Sequence, residues 1–302
     1  ASNVIIGREA GLAMTTGADN VIIGHAAAAA ANTRNGLVII GSGAGNSLTS
    51  GDANTFVGGG TGGNVSSGDH NTLLGYQAGY SLAAASSHNT LLGKQAGYNM
   101  NASGDGNNIA IGSETADTLT SGIDNTIIGT GADSEGTGTN RAIGLGKGIT
   151  AVQDYFTVGN GTDDIRNSHG STTWSTVSDK RFKKNIETST AGLNFIEDLR
   201  PVTYNWKTKG EIPNWSKAYQ EGSEEQYRNS KHNHGFIAQE VKEAIDNHPE
   251  IKDGFDMWYE LEGSGGQQEV GETALIPILV KAVQELSSEI ENIKKTCKCM
   301  NE

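Results

Sequence analysis

The segment Ser178-Asp-Lys-Arg-Phe-Lys-Lys-Asn-Ile186 sets a hydroxyl and an amine five residues apart inside a basic run. A serine becomes a nucleophile when a neighbouring base takes its proton, and a lysine serves as that base once its own pKa falls. Burial and nearby positive charge both push a lysine in that direction. Lys180, Arg181 and Lys184 would supply the charge around Lys183. Spacing alone does not carry this chemistry, because a serine followed by a basic patch is ordinarily solvated surface.

Other reactive side chains are scattered. His25, His70 and His88 fall in different stretches of the chain. Asp52, Asp69 and Asp105 recur at equivalent positions next to Ser-Gly or Gly, and they read as turn formers, not as the paired carboxylates of a glycosidase. The cluster Gly58-Gly-Gly60 lacks a phosphate-loop lysine and a following helix pattern, which argues against nucleotide binding. Cys297 and Cys299 are the two cysteines, and they cannot build a disulfide framework or a four-ligand zinc site alone. No metal and no cofactor is expected.

Composition limits the partners. The 302 residues carry a net charge of -13, so a general basic field for nucleic acid is excluded. No stretch approaches the roughly 20 apolar residues of a membrane helix, and no membrane insertion is expected. Ala1 to Gly7 show no basic stretch followed by an apolar core. Ala1 opens directly into a repeat, as expected of a piece of a longer protein.

The elements that must position these groups divide into two regions. Residues 1–177 hold 6 Lys+Arg and 13 Asp+Glu, whereas residues 178–302 hold 16 and 22. Of the 42 glycines, 31 precede residue 161. A sparsely charged, glycine-rich region therefore precedes a densely charged one.

The first region repeats. Asn3-Val-Ile-Ile-Gly7, Asn20-Val-Ile-Ile-Gly24, Leu37-Val-Ile-Ile-Gly41, Asn54-Thr-Phe-Val-Gly58 and Asn71-Thr-Leu-Leu-Gly75 share one pattern, which runs on to Asn125-Thr-Ile-Ile-Gly129. Arg141-Ala-Ile-Gly144 and Phe156-Thr-Val-Gly159 continue it more weakly, with glycines spaced mostly by 17 and finally by 15. Gln77-Ala-Gly79 and Gln95-Ala-Gly97 mark a second element, and Ser67-Gly68-Asp69 and Ser103-Gly104-Asp105 a turn. One coil per repeat follows: a short buried strand, a glycine bend, and corners suited to Asn and Asp. Such coils must stack to bury their apolar face. With few large apolar residues per period, a fibre of three chains sharing one interior is expected over a single-chain solenoid. Tyr76, Tyr80 and Tyr98 read as spread along the stack, with no aromatic platform for a sugar.

Residues 161–177 read as a connector, with a short strand near Thr172–Val177. Beyond it, Leu193, Ile196 and Leu199 have helical spacing, closed by Arg200-Pro201. Val202 to Trp206 alternates as a strand, Asn214 to Lys231 is a polar loop, and Phe236 to Ile245 reads as a helix stopped by Pro249. Ile276, Leu279, Val283, Leu286, Ile290, Ile293 and Cys297 alternate steps of three and four, which is the seam of a coiled coil over 274–297.

The basic motif now gains context. Ser178-Asp-Lys-Arg-Phe-Lys183 resembles the Ser-Asp-x-Arg-x-Lys opening of the intramolecular chaperone domain of phage endosialidases, tail fibres and neck appendages, the peptidase family S74. The likeness continues through Leu199-Arg-Pro-Val-Thr-Tyr204-Asn-Trp206-Lys, His234-Gly-Phe-Ile-Ala-Gln-Glu-Val241 and Ala274-Leu-Ile-Pro-Ile-Leu-Val-Lys-Ala-Val-Gln-Glu-Leu286, over about residues 170–300. Phe182, where a smaller aliphatic is common, and the polar excursion Trp215–His232 depart from the family pattern.

The resemblance implies a homotrimer. Residues 1–160 would form a trimeric all-β repeat stalk and residues 178–302 an α+β chaperone domain ending in the coiled coil. The chaperone would align three chains and then release itself by cutting between Val177 and Ser178. Ser178 would be the nucleophile and Lys183 its general base, with Asp179, Arg181, Gln239 and Glu240 in support. The product would belong to a virion fibre or spike, made in the host cytoplasm and facing a host receptor or glycan. The alternatives are a permanent, uncleaved trimer, a glycan-binding adhesin, or a carbohydrate-degrading spike with no visible acid pair.

Overall fold

The computed structural model describes residues 2–31, 33–101, 104–251, 255–261 and 265–299. Ala1 and Ser103, each assigned above to a repeat or turn, lie outside them. The chain forms two compact units, one ending at Asp179 and one beginning at Lys180.

In chain order the strands of the first unit are β1 (Val4–Ile6), β2 (Val21–Ile23), β3 (Val38–Ile40), β4 (Thr55–Val57), β5 (Thr72–Leu74), β6 (Ser86–Ser87), β7 (Thr90–Leu92) and β8 (Gly104–Asp105). They continue with β9 (Ile109–Ile111), β10 (Thr126–Ile128), β11 (Asp133–Ser134), β12 (Ile143–Leu145), β13 (Thr150–Ala151), β14 (Tyr155–Asn160) and β15 (Asp163–Ser168). Except for the two-residue strands, all join one sheet in sequence order. Each rung pairs in parallel with the equivalent rung of the next coil, as Val21 does with Val38 and Thr55 with Thr72. The result is a β-solenoid of about nine turns with a period of about 17.

The coils close within one chain. In one coil Asn54, Phe56, Thr61 and Val65 point inward and are fully buried, and in the next Asn71, Leu73, Ala78 and Leu82 do the same. The interior is therefore filled by a single chain and is not shared among three, contrary to the expectation from core size. Small side chains explain the difference. Alanine, threonine and asparagine occupy half of the inward positions in these coils, so a narrow coil packs tightly without many large residues.

Asparagine also has a role that its reputation as a corner residue hides. The Asn71 amide donates to Ser86 O at 2.8 Å and to Asn54 Oδ1 at 3.2 Å. Its carbonyl accepts the Asn89 backbone N–H at 3.0 Å. The same ladder runs through Asn108 and Asn125 to the Ala142 N–H. Each buried amide thus satisfies backbone groups that the tight coil leaves without a strand partner.

Glycine is required where coils touch. Gly41 has φ +140, and a Cβ there would lie 2.3 Å from Gly58 O. This column identifies the bend glycine of β12 as Gly146, at φ +138, not Gly144. Ile143 pairs with Thr126 and Phe156, so the last steps are 17 and 13 residues, not 15 and 15. Gly144 instead faces the core, where an added Cβ would meet Ala151 Cβ at 2.8 Å.

The solenoid ends in an antiparallel hairpin, β14–β15, turning at Gly161 with φ +63. Part of the expected connector is therefore a strand. β15 is the edge, and it carries Asp163, Asp164 and Arg166, charges of the kind that discourage further pairing. The expected strand near Thr172–Val177 reduces to a single bridge between Ser175 and Arg166.

The second unit contains α1 (Leu193–Asp198), β16 (Val202–Tyr204), β17 (Asn233–Gly235), α2 (Ala238–Asn247), β18 (Trp258–Glu260), β19 (Gln268–Val270) and α3 (Leu275–Cys299). β16 pairs with β17 and β18 with β19, both antiparallel. Phe195 of α1 and Val241, Ala244 and Ile245 of α2 pack with Met257, Leu275 and Ile278. Glu285 of α3 accepts the Leu193 N–H at 2.8 Å and so caps α1. That bond, and then Lys281, hold its carboxyl below the usual range. Among the described residues no helix is long and apolar enough to cross a membrane.

Candidate functional site

The division between the two units falls inside the basic motif, after Asp179. On the solenoid side, the strand-like segment before the motif is tied down. Ser175 and Arg166 exchange backbone hydrogen bonds of 2.7 and 2.8 Å, and the Thr176 hydroxyl donates to Asp164 O at 3.3 Å. Asp164 is itself held by the Arg166 guanidinium at 3.0 Å. Trp174 meets Phe156 edge-on, with ring centroids 5.6 Å apart. Val177 and Ser178 come after Thr176, both exposed.

On the other side, Lys180–Phe182 form one 3-10 turn, and the Lys183 N–H donates to Lys180 O at 3.1 Å. Arg181, Lys183 and Lys184 are exposed, as is Phe182 at 78%. Asp179 is half-buried. Both proposed reactive groups thus stand at the surface of the single chain, on a segment that is exposed from Ser171 to Thr190 apart from Asp179.

Gln239 and Glu240 begin α2 and do different things. Glu240 forms a two-pronged ion pair with Arg200, one bond measuring 3.0 Å, and this pairing holds its carboxyl below the usual range. It fastens α2 to the turn between α1 and β16. Gln239 lines a cavity of about 700 Å³ together with Tyr204, Trp206, Trp215, Tyr227 and Arg228. The Arg228 guanidinium lies 4.8 Å from the centre of the Trp206 ring. The aromatic character of Val202–Trp206 is visible in the sequence. Its meeting with Tyr227, inside the polar excursion, is not.

The apolar seam of α3 is solvent-facing in the single chain. Ile276, Leu279, Val283, Leu286, Ile290 and Ile293 are all exposed, while Leu275, Ile278 and Ala282 on the other side of the helix are buried. Cys297 is exposed and free.

The scattered groups of the solenoid are closer than their spacing suggests. An 18-residue coil stacks Tyr98 on Tyr80, with centroids 5.4 Å apart, so these tyrosines form a ladder. His70 and His88 stack likewise at 5.3 Å, and His88 Nδ1 lies 2.9 Å from Asp105. The Asp52 carboxylate accepts the Asn35 N–H and that of Asp69 the Asp52 N–H, each one coil away. Among the described residues no group of His, Cys, Asp or Glu is placed to hold a metal ion.

Residues 178–248 match the family described as chaperone of endosialidase, Peptidase_S74. The match begins at Ser178 and supports an endosialidase-type domain with an intramolecular chaperone role. No curated protein and no solved structure matches the chain.

Proposed function

We propose that this chain is a fibre or spike segment of a virion whose C-terminal unit drives trimerisation and then cuts itself away between Val177 and Ser178. The observation that carries this reading is that the family match starts at Ser178, one residue beyond an exposed valine whose upstream neighbours are pinned to the solenoid.

The chemistry follows from adjacency. Lys183 takes the proton of the Ser178 hydroxyl, and the oxygen attacks the Val177 carbonyl carbon. The bond from that carbon to the Ser178 nitrogen breaks, the nitrogen takes up the proton, and an ester links Val177 to the Ser178 side chain. Water then hydrolyses the ester, leaving a Val177 carboxylate and a free Ser178 amine and hydroxyl. A lysine base needs a site that disfavours its charge. The exposure of this segment in the single chain therefore favours a cut that waits for assembly, when other copies cover the motif. Three α3 helices joined along their exposed seam would align the copies. Cleavage after folding would leave the fibre kinetically trapped. A host receptor or glycan is the external partner this reading assigns to the fibre.

Denaturing gels test it. The wild-type chain should yield two fragments, whereas Ser178→Ala and Lys183→Ala should stay whole while keeping the trimer mass in light scattering. Fragments of equal yield from either variant would remove the dyad from the mechanism.

A further inference from the structure

The solenoid carries a surface that its own fold leaves unfinished. In each rung the central residue points into the core and its two neighbours point out. The registers align these outward residues in two columns. In one column, from Ile6 through Leu74 and Leu92 to Val158, every residue is Ile, Leu or Val. The other column, from Val4 to Phe156, holds only Val, Thr, Ile and Phe. None of them is fully buried, and Ile6 and Leu74 remain 58% and 47% exposed. The parallel rungs β1 to β14 of this sheet contain no Asp, Glu, Lys or Arg, although the unit around them is acidic.

Ten rungs at about 4.8 Å span about 45 Å, and two columns with their side chains are about 13 Å wide. Each copy thus presents about 600 Å² of apolar sheet, at the top of the range for a solitary monomer. Three such faces turned to one axis bury about 1,800 Å² in all, within the range of a specific interface.

We propose that this sheet face is an interface between copies of this chain, running parallel and in register along the whole solenoid. The shape selects the occupant. The stripe is long, uncharged and periodic, so a globular partner would cover a few rungs and leave the rest in water. A second copy offers the same stripe at the same pitch. The exposed α3 seam supplies a tether: copies held there meet at millimolar-scale effective concentration and point the same way. For that alignment, and only for it, the inference rests on the trimer reading above. Three complete solenoids would pack with these faces turned to one common axis, each keeping its own core.

Site-directed cross-linking tests this in the full chain, with Cys297→Ser, Cys299→Ser and Ser178→Ala so that one new thiol is present and the units stay joined. Leu92→Cys and, separately, Ile40→Cys place it on the outward column, and Asn64→Cys places it at an exposed position off the sheet. After copper-phenanthroline oxidation, the two column variants should give at least about tenfold more disulfide-linked dimer than Asn64→Cys, as fixed proximity requires. Light scattering on the same samples separates the failures. A trimer in which Leu92→Cys and Ile40→Cys link no better than Asn64→Cys overturns the sheet interface and leaves association through α3 standing. A monomer overturns both.

Discussion

The two units hold themselves together by opposite means. The solenoid repeats one small solution about nine times, with asparagine amides, alanines and glycines doing what large side chains do elsewhere. The C-terminal unit has one small cluster around Phe195, and much of its apolar surface lies outward on α3. The first unit is complete inside and unfinished on one face. The second is barely complete inside and unfinished along a helix. A folding aid that is later discarded fits the second description, and a durable fibre fits the first.

That contrast can be broken from either side, beginning with the largest effect. Phe195→Ala removes the ring that meets Phe255 and His248 edge-on, and should cost about 3–5 kcal/mol. Thermal unfolding should show the C-terminal transition lost and the solenoid transition unchanged. Gly41→Ala should do the converse. It forces a side chain into φ +140 and against Gly58 O, at about 3 kcal/mol or more, with hydrogen exchange rising in neighbouring coils first. Asn71→Ala leaves the Asn89 N–H without its buried acceptor and removes the amide donor to Ser86 O, and should cost about 2 kcal/mol by the same measurement. If Asn71→Ala proved neutral, the amide ladder would be decoration.

The smallest expected effect is a pH dependence of the C-terminal unit. His248 Nε2 lies 2.8 Å from Asp198 and Nδ1 2.9 Å from Glu250. Asp198 and then Glu250 raise the imidazole above its ordinary value. Its contribution is full below the unfolded histidine pKa and fades as pH rises through the raised folded value. Glu250 is held low, chiefly by His248, so its contribution fades as pH falls through that lowered value. The melting temperature of this unit should peak between the two, and His248→Gln should flatten the alkaline side.

Much of the fold can be read from residue order. Strand, glycine and period announce stacked coils because a glycine-bound bend must recur wherever coils touch. The number of chains per core could not be read by counting large apolar residues, since Asn54, Thr61 and Ala78 fill space unnoticed. Gly144 mimics a bend glycine locally, and only the alignment with β10 assigns that place to Gly146. The Tyr80–Tyr98 stack depends on coil length, and the β18–β19 hairpin has little alternation to betray it. For the candidate site, the motif itself is legible at Ser178 and Lys183. The surroundings that would shift the Lys183 charge are not, since the structure leaves both residues exposed in the single chain.

The central claim is that the backbone opens at one bond by its own chemistry after assembly. N-terminal sequencing and intact mass of the purified, correctly assembled wild-type chain address it directly. The account predicts a fragment beginning at Ser178 and a companion ending at Val177, both absent from Ser178→Ala. A trimer of unbroken wild-type chains would contradict it.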